Sequence, residues 1–339
     1  MIISPVLIIG CPRSGTTLLF NILAEVTSLW SIGYESKAII ERHHAPAVKG
    51  WESGELTAED LTVSSRAAIL REFEAHAAPG SYWRRVNRFR RFVNHNALYS
   101  SLKKRGRTTE KGSSLSSGLP GQGLELFRTI ARVRNDLRIA RGPIRLLEKT
   151  PENCLRLPFL RELFPDASII LLTRDGRENV HSLMEGWRQP HLFPGYQTPL
   201  PVTSPGQTRG RWAFTLIPGW RELVDRPLEE ICAHQWVACN EAVLNFIQES
   251  AALPALTIRY EDLVSTPDET LARVAGFIGV GVDEIPAYGQ SLPEVNVVSA
   301  PNRDKWRSEV EAISRIMPII RPVMAEMGYD DREFAKTTS

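Results

Sequence analysis

The chain has 339 residues, of which 42% are hydrophobic and 24% are charged, and its formal net charge is +2 at pH 7. These values are ordinary for a globular protein and allow one large domain or a domain with insertions. The small net charge gives no electrostatic support for nucleic-acid or membrane binding, no nucleic-acid recognition module is visible, and no apolar run approaches the roughly 20 residues of a membrane span. We therefore expect neither a nucleic-acid partner nor an integral membrane segment.

The number and spacing of the cysteines bear on the cellular compartment of the protein. They are Cys11, Cys154, Cys232 and Cys239, and no two of them form a C-x-x-C pair. We expect buried thiols rather than a disulfide or a metal site. The first apolar run is short and does not have the form of a signal peptide, so the sequence predicts a protein of the reducing cytoplasm.

Hydrophobic periodicity predicts an alternation of strands and helices along the chain. Strands are expected at about 6–9, 29–33, 144–147, 168–173 and 256–259. Helices are expected to start at Leu18 and to lie at about 123–140, 153–164, 175–187, 228–249 and 268–278, and within 55–105 and 303–327. This alternation is typical of a parallel sheet, so we predict a three-layer α/β fold with helices flanking the sheet.

Two segments interrupt the alternation. Residues 41–142 have a helical part and a flexible loop at 106–123 that is rich in glycine, serine and lysine. Residues 188–225 are rich in proline and glycine and lack periodicity. We predict a single domain over 1–339 in which both segments are insertions.

The most informative segment follows the first strand. Gly10 and Gly15 keep the spacing of the nucleotide-binding pattern G-x-x-x-x-G-K-[ST], and Thr17 fills its last position. Thr16 replaces the lysine of that pattern, and the only cation in the loop is Arg13. Backbone N–H groups and a helix start would cradle an anion here. We therefore predict a site for a mono- or diphosphate that is handled without Mg²⁺.

A second candidate anion site follows the strand at 168–173. Arg174 stands where a nucleotide triphosphatase would place an aspartate for Mg²⁺, and Ser182 lies eight residues further along, on the same side of the next helix. Arginine offers a fork of donors to a phosphate, and serine adds a hydroxyl. The alternative for Arg174 is a surface ion pair with Asp175. Together with the first loop, the sequence favours the anion site.

These motifs, in their order along the chain, resemble those of bacterial-type sulfotransferases that use 3′-phosphoadenosine 5′-phosphosulfate (PAPS) and have a P-loop-like fold. Cys11-Pro12-Arg13-Ser14-Gly15-Thr16-Thr17 resembles the family's 5′-phosphosulfate loop, and Arg174 with Ser182 resembles its 3′-phosphate motif. Glu148-Lys149-Thr150-Pro151-Glu152-Asn153 and Tyr260-Glu261-Asp262-Leu263 resemble two further landmarks of the family.

The resemblance implies metal-free, in-line transfer of a sulfuryl group from PAPS to a hydroxyl or amine of a small-molecule, lipid or glycan acceptor, with adenosine 3′,5′-bisphosphate (PAP) as product. The insertions would then form the acceptor side. The implied donor-binding residues are Arg13, Ser14, Gly15, Thr16, Thr17, Leu18, Arg174, Ser182, Tyr260, Arg303 and Lys305. The alternative for Arg303 and Lys305 is a solvated helix start beside a core Trp306, and for Tyr260 a half-buried core position.

Three residues are the first candidates for the chemistry itself, and two histidines are backups. Arg13 would act as an electrostatic clamp, since an arginine does not give up its proton. Glu35, 22 residues after Arg13, resembles the base of carbohydrate-directed members, and its alternative is a charge at a helix N-terminus. His43 and His44 are the other candidate bases. Lys149 would polarise the sulfuryl oxygens or pair with Glu35, and its alternative is a structural salt bridge.

Two other classes of function stay open at this point. A P-loop kinase or nucleotide phosphotransferase needs a loop lysine and an aspartate that holds Mg²⁺, and neither stands at its expected place. A non-catalytic nucleotide-binding scaffold would need the phosphate sites but no base. The sequence sets neither the acceptor nor the oligomeric state.

Overall fold

The computed structural model describes residues 1–33, 35–77, 143–193, 195–200, 202, 210–250, 254–288, 292 and 304–329. Most of the segment 41–142 lies outside these residues, including the predicted loop at 106–123 and the predicted helix at 123–140, and so does Arg303. Within the described ranges, no helix is both long enough and apolar enough to cross a bilayer.

Runs of apolar and β-branched residues form the longer strands. In the described residues the strands are β1 (Val6–Ile9), β2 (Leu147–Lys149), β3 (Ser168–Thr173), β4 (Tyr196–Gln197), β5 (Arg211–Trp212) and β6 (Ala255–Arg259). Strands β1, β2, β3 and β6 form one parallel sheet in the order β2-β1-β3-β6. The predicted parallel sheet is therefore confirmed.

The strand predicted at 29–33 is wrong. Trp30 makes an isolated parallel bridge to Leu146, and the chain turns at Gly33, whose φ of 81° lies in the left-handed region that glycine adopts without steric cost. Trp30 and Ile32 are nevertheless only 2% and 1% exposed. The apolar pattern of this segment thus indicated burial and not strand pairing.

The helices follow the predicted alternation. In the described residues they are α1 (Thr16–Leu23), α2 (Lys37–His44), α3 (Val63–Ala77), α4 (Leu157–Leu163), α5 (Gly176–Trp187), α6 (Leu228–Glu249), α7 (Tyr260–Ser265), α8 (Pro267–Ile278) and α9 (Val310–Glu326). Helix α6 has the bounds that its apolar pattern predicts. The helix expected at 153–164 is divided, because Arg156 has a non-helical φ of −128° between a 3₁₀ turn at Pro151–Leu155 and the start of α4.

Alternate residues of the sheet contribute to two separate cores. Leu7 and Ile9 of β1 belong to the core that contains residues of α4, α5, α6 and α9. Val6 and Ile8 belong to the core that contains residues of α1 and α8. All four side chains are at most 1% exposed, as is usual for a parallel sheet covered on both faces. The three-layer α/β architecture is therefore confirmed.

The described part of the proline- and glycine-rich segment is more regular than its composition indicates. Strands β4 and β5 pair antiparallel, with Tyr196 opposite Trp212. Trp212 is fully buried, and its ring lies 5.3 Å from that of Trp187 and 5.7 Å from that of Trp220, between centroids. Tryptophan packing thus fixes this hairpin beside α5, where it comes close to the residues discussed next.

Candidate active site

Four of the predicted site residues lie at the carboxyl ends of the four parallel strands. Arg13 is in the loop after β1, Lys149 is the last residue of β2, Arg174 directly follows β3, and Tyr260 directly follows β6. Because parallel strands end at the same edge of a sheet, the strand order arranges them as Lys149, Arg13, Arg174 and Tyr260. We call this set the strand-end row. Open α/β sheets bind their ligands outside this edge.

The loop between β1 and α1 has a shape that requires glycine. Gly15 has a φ of 102°, and a Cβ at this position would lie 2.4 Å from a ring carbon of Tyr260. Helix α1 starts at Thr16, so its first N–H groups have no partner within the helix. The Ser14 hydroxyl is buried and has no hydrogen-bond partner in the described part of the chain. The loop therefore presents unsatisfied donors, as an anion cradle should.

Side chains of helix α5 form hydrogen bonds with the loop between β1 and α1. The side-chain amide of Asn179 donates to the carbonyl of Pro12 at 2.8 Å. Arg13 has a φ of 70°, which is uncommon for a residue with a side chain, and its Nε donates to the Ser182 hydroxyl at 3.3 Å. Arg13 and Ser182, which the sequence assigned to two separate phosphates, are thus in direct contact.

An aromatic ring from the segment after α5 covers Arg13. The ring centroid of Phe193 lies 4.8 Å from Arg13 Cζ. Buried Arg211 holds this segment by donating to the carbonyl of Phe193 and, at 3.0 Å, to that of Trp187. Burial lowers the pKa of Arg13, and the neighbouring Arg174 lowers it further, although a guanidinium stays charged in proteins. A partly desolvated cation of this kind attracts an anion strongly.

Arg174 faces the loop rather than its neighbour in sequence. Its Nη1 donates to the carbonyl of Arg13 at 2.9 Å, and its Nη2 lies 3.4 Å from the carboxylate of Glu178. Its Cζ lies 4.6 Å from the ring centroid of Tyr260. Asp175 instead caps helix α5. The surface ion pair between Arg174 and Asp175 is therefore the wrong alternative.

Lys149 and Glu35 meet beyond the end of β2. Lys149 Nζ donates to Glu35 Oε1 at 2.6 Å. The lysine side chain is 7% exposed and the glutamate side chain is 43% exposed. Of the two functional alternatives for Lys149, the pairing with Glu35 is thus present, and the carboxylate stays partly exposed.

Helix α2 carries the two candidate histidines away from this pair. His43 and His44 are its last residues, and the length of the helix separates them from Glu35 by about 12 Å along its axis. His43 is exposed. The His44 ring packs edge-on against Phe159, with centroids 5.1 Å apart, and burial lowers its pKa. The structure does not bring either histidine to the strand-end row.

The remaining predicted residues of the loop differ in position. Thr16 is buried and Thr17 is half-buried in the first turn of α1. The Leu18 side chain lies in the core between α1 and α8, and its N–H donates to the carbonyl of Gly15. Leu18 therefore has a core position rather than a ligand-facing one.

The segment after Arg303 joins the site through Glu178. The N–H of Asp304 donates to Glu178 Oε1 at 2.6 Å, and the same carboxylate lies beside Arg174. Lys305 starts the 3₁₀ turn that follows. Trp306 is 2% exposed, so the core position considered for it is confirmed. Burial raises the pKa of Glu178.

Three further residues contact this site without belonging to any of the predicted motifs: Glu178, Asn179 and Phe193. Glu178 and Asn179 precede Ser182 by four and three residues, so all three lie on one face of α5. The helical spacing from Ser182 is therefore a sequence signal for Glu178 and Asn179. Phe193 had no comparable signal, because it reaches Arg13 only through the packing of the β4–β5 hairpin.

Comparison with known proteins gave three kinds of match. A model of the sulfotransferase family matches residues 5–197, more than half of the chain. Protein-tyrosine sulfotransferase 1 of Danio rerio is 26% identical over 203 residues, which are 55% of this chain and 48% of that protein. Nodulation protein NoeE of Sinorhizobium fredii is 26% identical over 218 residues, with coverages of 56% and 46%. The chain thus spans about half the length of these curated relatives.

A solved structure aligns over a larger share of the chain. The sulfotransferase STF9 from Mycobacterium avium has a TM-score of 0.48 and 14% identity, and the alignment covers 97% of this chain and 78% of that one. A sulfotransferase from Alicyclobacillus acidocaldarius has a TM-score of 0.43 and 12% identity, with coverages of 97% and 98%.

Proposed function

Because the chain belongs to the sulfotransferase family, we propose that it transfers a sulfuryl group from PAPS to a hydroxyl or amine of an acceptor. The observation that supports this best is the strand-end row. Three features follow one another along one sheet edge: the ion pair of Lys149 with Glu35, the guanidinium of Arg13 under an aromatic ring, and the guanidinium of Arg174 stacked on a second ring. These groups would supply proton removal, charge stabilisation and phosphate binding, which the proposed reaction needs.

The residues of the row fit the donor. PAPS would supply the sulfuryl group and, as leaving group, a bisphosphate. The buried Ser14 hydroxyl without a described partner and the N–H groups at the start of α1 would hold the 5′-phosphosulfate. Arg174 and Ser182 would hold the 3′-phosphate, with Tyr260 beside the adenosine. Lys305 would add positive charge from the following turn.

Glu35 would act as the general base. Its carboxylate is accessible and aligned by Lys149, so it can accept the proton of the attacking hydroxyl or amine. Arg13 would stabilise negative charge on the leaving phosphate through a guanidinium that is already fixed by Ser182 and Phe193. Lys149 would also face the transferring sulfuryl oxygens. These roles require direct in-line transfer and no covalent intermediate on the protein.

The kinase and scaffold alternatives have less support. The family match covers the predicted phosphate loop, the second anion motif and both Glu35 and Lys149. A kinase would need a cation at the position of Thr16, and this side chain is buried at the start of α1. A scaffold would not require an aligned and accessible carboxylate beside the anion cradle.

The acceptor is proposed by chemical class only: a small molecule, a lipid or a glycan. The matched relatives include proteins named protein-tyrosine sulfotransferases, so phenolic hydroxyls also belong in the first acceptor panel. All four cysteines are free and buried. Such thiols persist in a reducing compartment, and we propose that the enzyme works in the cytoplasm.

The first test is thermal stabilisation by PAP compared with ATP plus Mg²⁺. A ligand that binds only the folded state raises the free energy of unfolding by mass action, by about 2.7 kcal/mol at one hundred times its Kd, and therefore raises the Tm. We expect a shift with PAP that EDTA does not change. A shift with Mg-ATP alone would instead support a kinase, and no shift with either would contradict a nucleotide site.

The second test is release of PAP from PAPS in the presence of single acceptors. The panel contains a phenol, a tyrosyl peptide, an alkyl alcohol, a glycolipid and an oligosaccharide. We expect at least one acceptor to increase the release, and mass spectrometry should find that acceptor heavier by one sulfuryl group. Binding of PAP without transfer to any of them would support the scaffold.

A further inference from the structure

A buried carboxylate, that of Glu148, lies next to the pair of Lys149 and Glu35. Glu148 is 2% exposed. Its Oε1 accepts hydrogen bonds from the hydroxyls of Thr150, at 2.6 Å, and Ser36, and its Oε2 accepts one from the Asn153 side-chain amide at 2.7 Å. Burial raises the pKa of Glu148, while the Ser36 and Thr150 hydroxyls and the charge of Lys149 oppose the shift. In all these hydrogen bonds the carboxylate oxygens of Glu148 are the acceptors, as an ionised carboxylate requires.

These hydrogen bonds converge on the residue that follows Glu35. The N–H of Ser36 donates to Thr150 Oγ1 at 2.8 Å and lies 3.3 Å from Glu148 Oε1. Ser36 is fully buried and directly precedes helix α2. Its N–H belongs to the planar peptide that also contains the carbonyl of Glu35. Fixing that N–H and the hydroxyl therefore fixes the point from which the Glu35 side chain starts.

Two consecutive residues of β2 thus hold two consecutive residues of the facing segment. Glu148 holds Ser36, and Lys149 holds Glu35. We propose that Glu148 is a positioning residue, whose buried carboxylate fixes Ser36 and thereby aligns Glu35 with Lys149 for proton removal from the acceptor. This inference rests on the proposed function, since it assigns Glu148 a role only through Glu35.

Glu148→Gln should disturb the alignment of Glu35 without preventing the protein from folding. In Glu148→Gln the amide keeps one oxygen toward Ser36 and Thr150 but turns a donor toward Asn153. The Asn153 Oδ1 atom has no hydrogen-bond partner in the described part of the chain, so rotation of its amide restores that contact. The variant should fold, but it holds Ser36 through a neutral acceptor, which forms a weaker bond than a carboxylate does.

The matched control is Glu152→Gln. Glu152 is 5% exposed and lies in the same segment, but its carboxylate pairs with Lys37 at 2.7 Å. It therefore tests the loss of a nearby buried carboxylate that does not contact Ser36 or Lys149. Ser36→Ala is the second variant, because it removes one donor to Glu148 without placing a new group there.

The first measurement is hydrogen exchange followed by mass spectrometry, with no ligand added. In Glu148→Gln and Ser36→Ala we expect the peptide containing residues 35 and 36 to exchange about 10-fold faster than in the wild type, because its protection depends on local opening. Peptides from β3 and α6 should not change. Unchanged exchange at residues 35 and 36 in both variants would overturn the proposal.

The second measurement is a double-mutant cycle on kcat for PAP release from PAPS with the best acceptor of the panel. Glu148→Gln should lower kcat about 10-fold with little change in KM, but less than about 2-fold in the Glu35→Gln background, because it acts through the residue already removed. Glu152→Gln should have the same fractional effect in both backgrounds. Equal losses from Glu148→Gln in the two backgrounds would indicate a merely structural role and overturn the proposal.

The two measurements also distinguish this inference from the proposed function. A wild-type chain that neither binds PAP nor releases it from PAPS contradicts the proposed function. The exchange measurement still decides whether Glu148 holds residues 35 and 36, because it uses no substrate. If the wild type is active and the cycle is additive, the function stands and the positioning role is wrong.

Discussion

Two parts of the strand-end row, the ends of β1 and β3 and the end of β2, differ in their balance of charge. At the ends of β1 and β3, two guanidinium groups lie together: Arg13 contacts the Ser182 hydroxyl and the Phe193 ring, and Arg174 contacts a carbonyl and one carboxylate. At the end of β2, Lys149 lies between the carboxylates of Glu35 and Glu148. The first part holds two cations beside the carboxylate of Glu178, whereas the second holds one cation beside two carboxylates.

With the proposed function, we expect this difference to separate donor binding from turnover. Two neighbouring cations repel each other, and Arg174 indeed lowers the pKa of Arg13, so an added anion relieves an unfavourable contact there. The ion pair at β2 needs no added charge and instead keeps a carboxylate aligned. Substitutions at the β1 and β3 ends should therefore change donor affinity, and substitutions at the β2 end should change turnover.

The strongest test of this comparison is Glu35→Gln. We expect kcat to fall by about 10²–10⁴-fold, the usual contribution of a general base, with no change in the Kd for PAP measured by calorimetry. The control is Glu52→Gln, since Glu52 is exposed on the segment after α2. A large loss of PAP affinity in Glu35→Gln would show that the two parts are not independent.

Arg174→Ala should have the converse effect. Removing a charged donor from a phosphate site costs about 1.5–3 kcal/mol, which weakens PAP binding by about 10- to 100-fold. Arg273→Ala is the control, because Arg273 is exposed on helix α8. Calorimetric affinities that agree for both variants would remove Arg174 from the donor site.

Gly15→Ala tests whether the donor end depends on backbone shape. The substitution puts a Cβ 2.4 Å from the Tyr260 ring at a φ of 102°. We expect a loss of about 1–3 kcal/mol in the free energy of unfolding, measured by denaturant titration, together with weaker PAP binding. Gly276→Ala in α8 is the matched control, since a Cβ there meets no atom within 4 Å. That variant should be as stable as the wild type or up to about 1 kcal/mol more stable.

The smallest effect concerns pH and a histidine on the donor side. His181 of α5 is 5% exposed and lies 3.5 Å from the Ser308 hydroxyl, and burial lowers its pKa. The folded chain therefore binds this proton less readily than the unfolded chain. The resulting stability is present above about pH 6.5 and is lost as the pH falls through the lowered pKa.

We expect the Tm of the wild type to fall more steeply between pH 6.5 and pH 5 than that of His181→Gln, by about 1–2 °C. His191→Gln is the control, because His191 is exposed, and it should follow the wild type. Parallel curves for His181→Gln and the wild type would show that His181 does not contribute to acid sensitivity.

The predicted elements that agree best with the structure are those with the strongest local signals. Strand β3 and helix α6 have the predicted bounds, because an unbroken apolar run and a long amphipathic period each determine one local conformation. The segment 29–33 has a short apolar run as well, but it forms an isolated bridge. Burial and strand pairing give the same pattern over five residues, and pairing depends on a partner elsewhere in the chain.

The candidate site also has features with a local sequence signal and features that depend on tertiary packing. The glycine spacing at Gly10 and Gly15 and the polar residues after the strands predicted the candidate anion sites from the sequence. The contact between Arg13 and Ser182, which joins residues 169 positions apart, and the cover by Phe193 were not predictable. They depend on how α5 and the β4–β5 hairpin pack against the first loop.

By itself the sequence determined the parallel α/β sheet, and it predicted a phosphate loop without its lysine, candidate cations at the strand ends and Glu35 as a candidate base. These features depend on short-range rules: hydrophobic period, glycine at a positive φ, and polar residues where a buried strand ends. Only the tertiary structure decided that Lys149 pairs with Glu35, that Arg174 turns to the loop, and that the histidines of α2 lie elsewhere. Each of these outcomes depends on strand order and helix packing, which bring together side chains from distant parts of the chain and so are not encoded in any single local pattern.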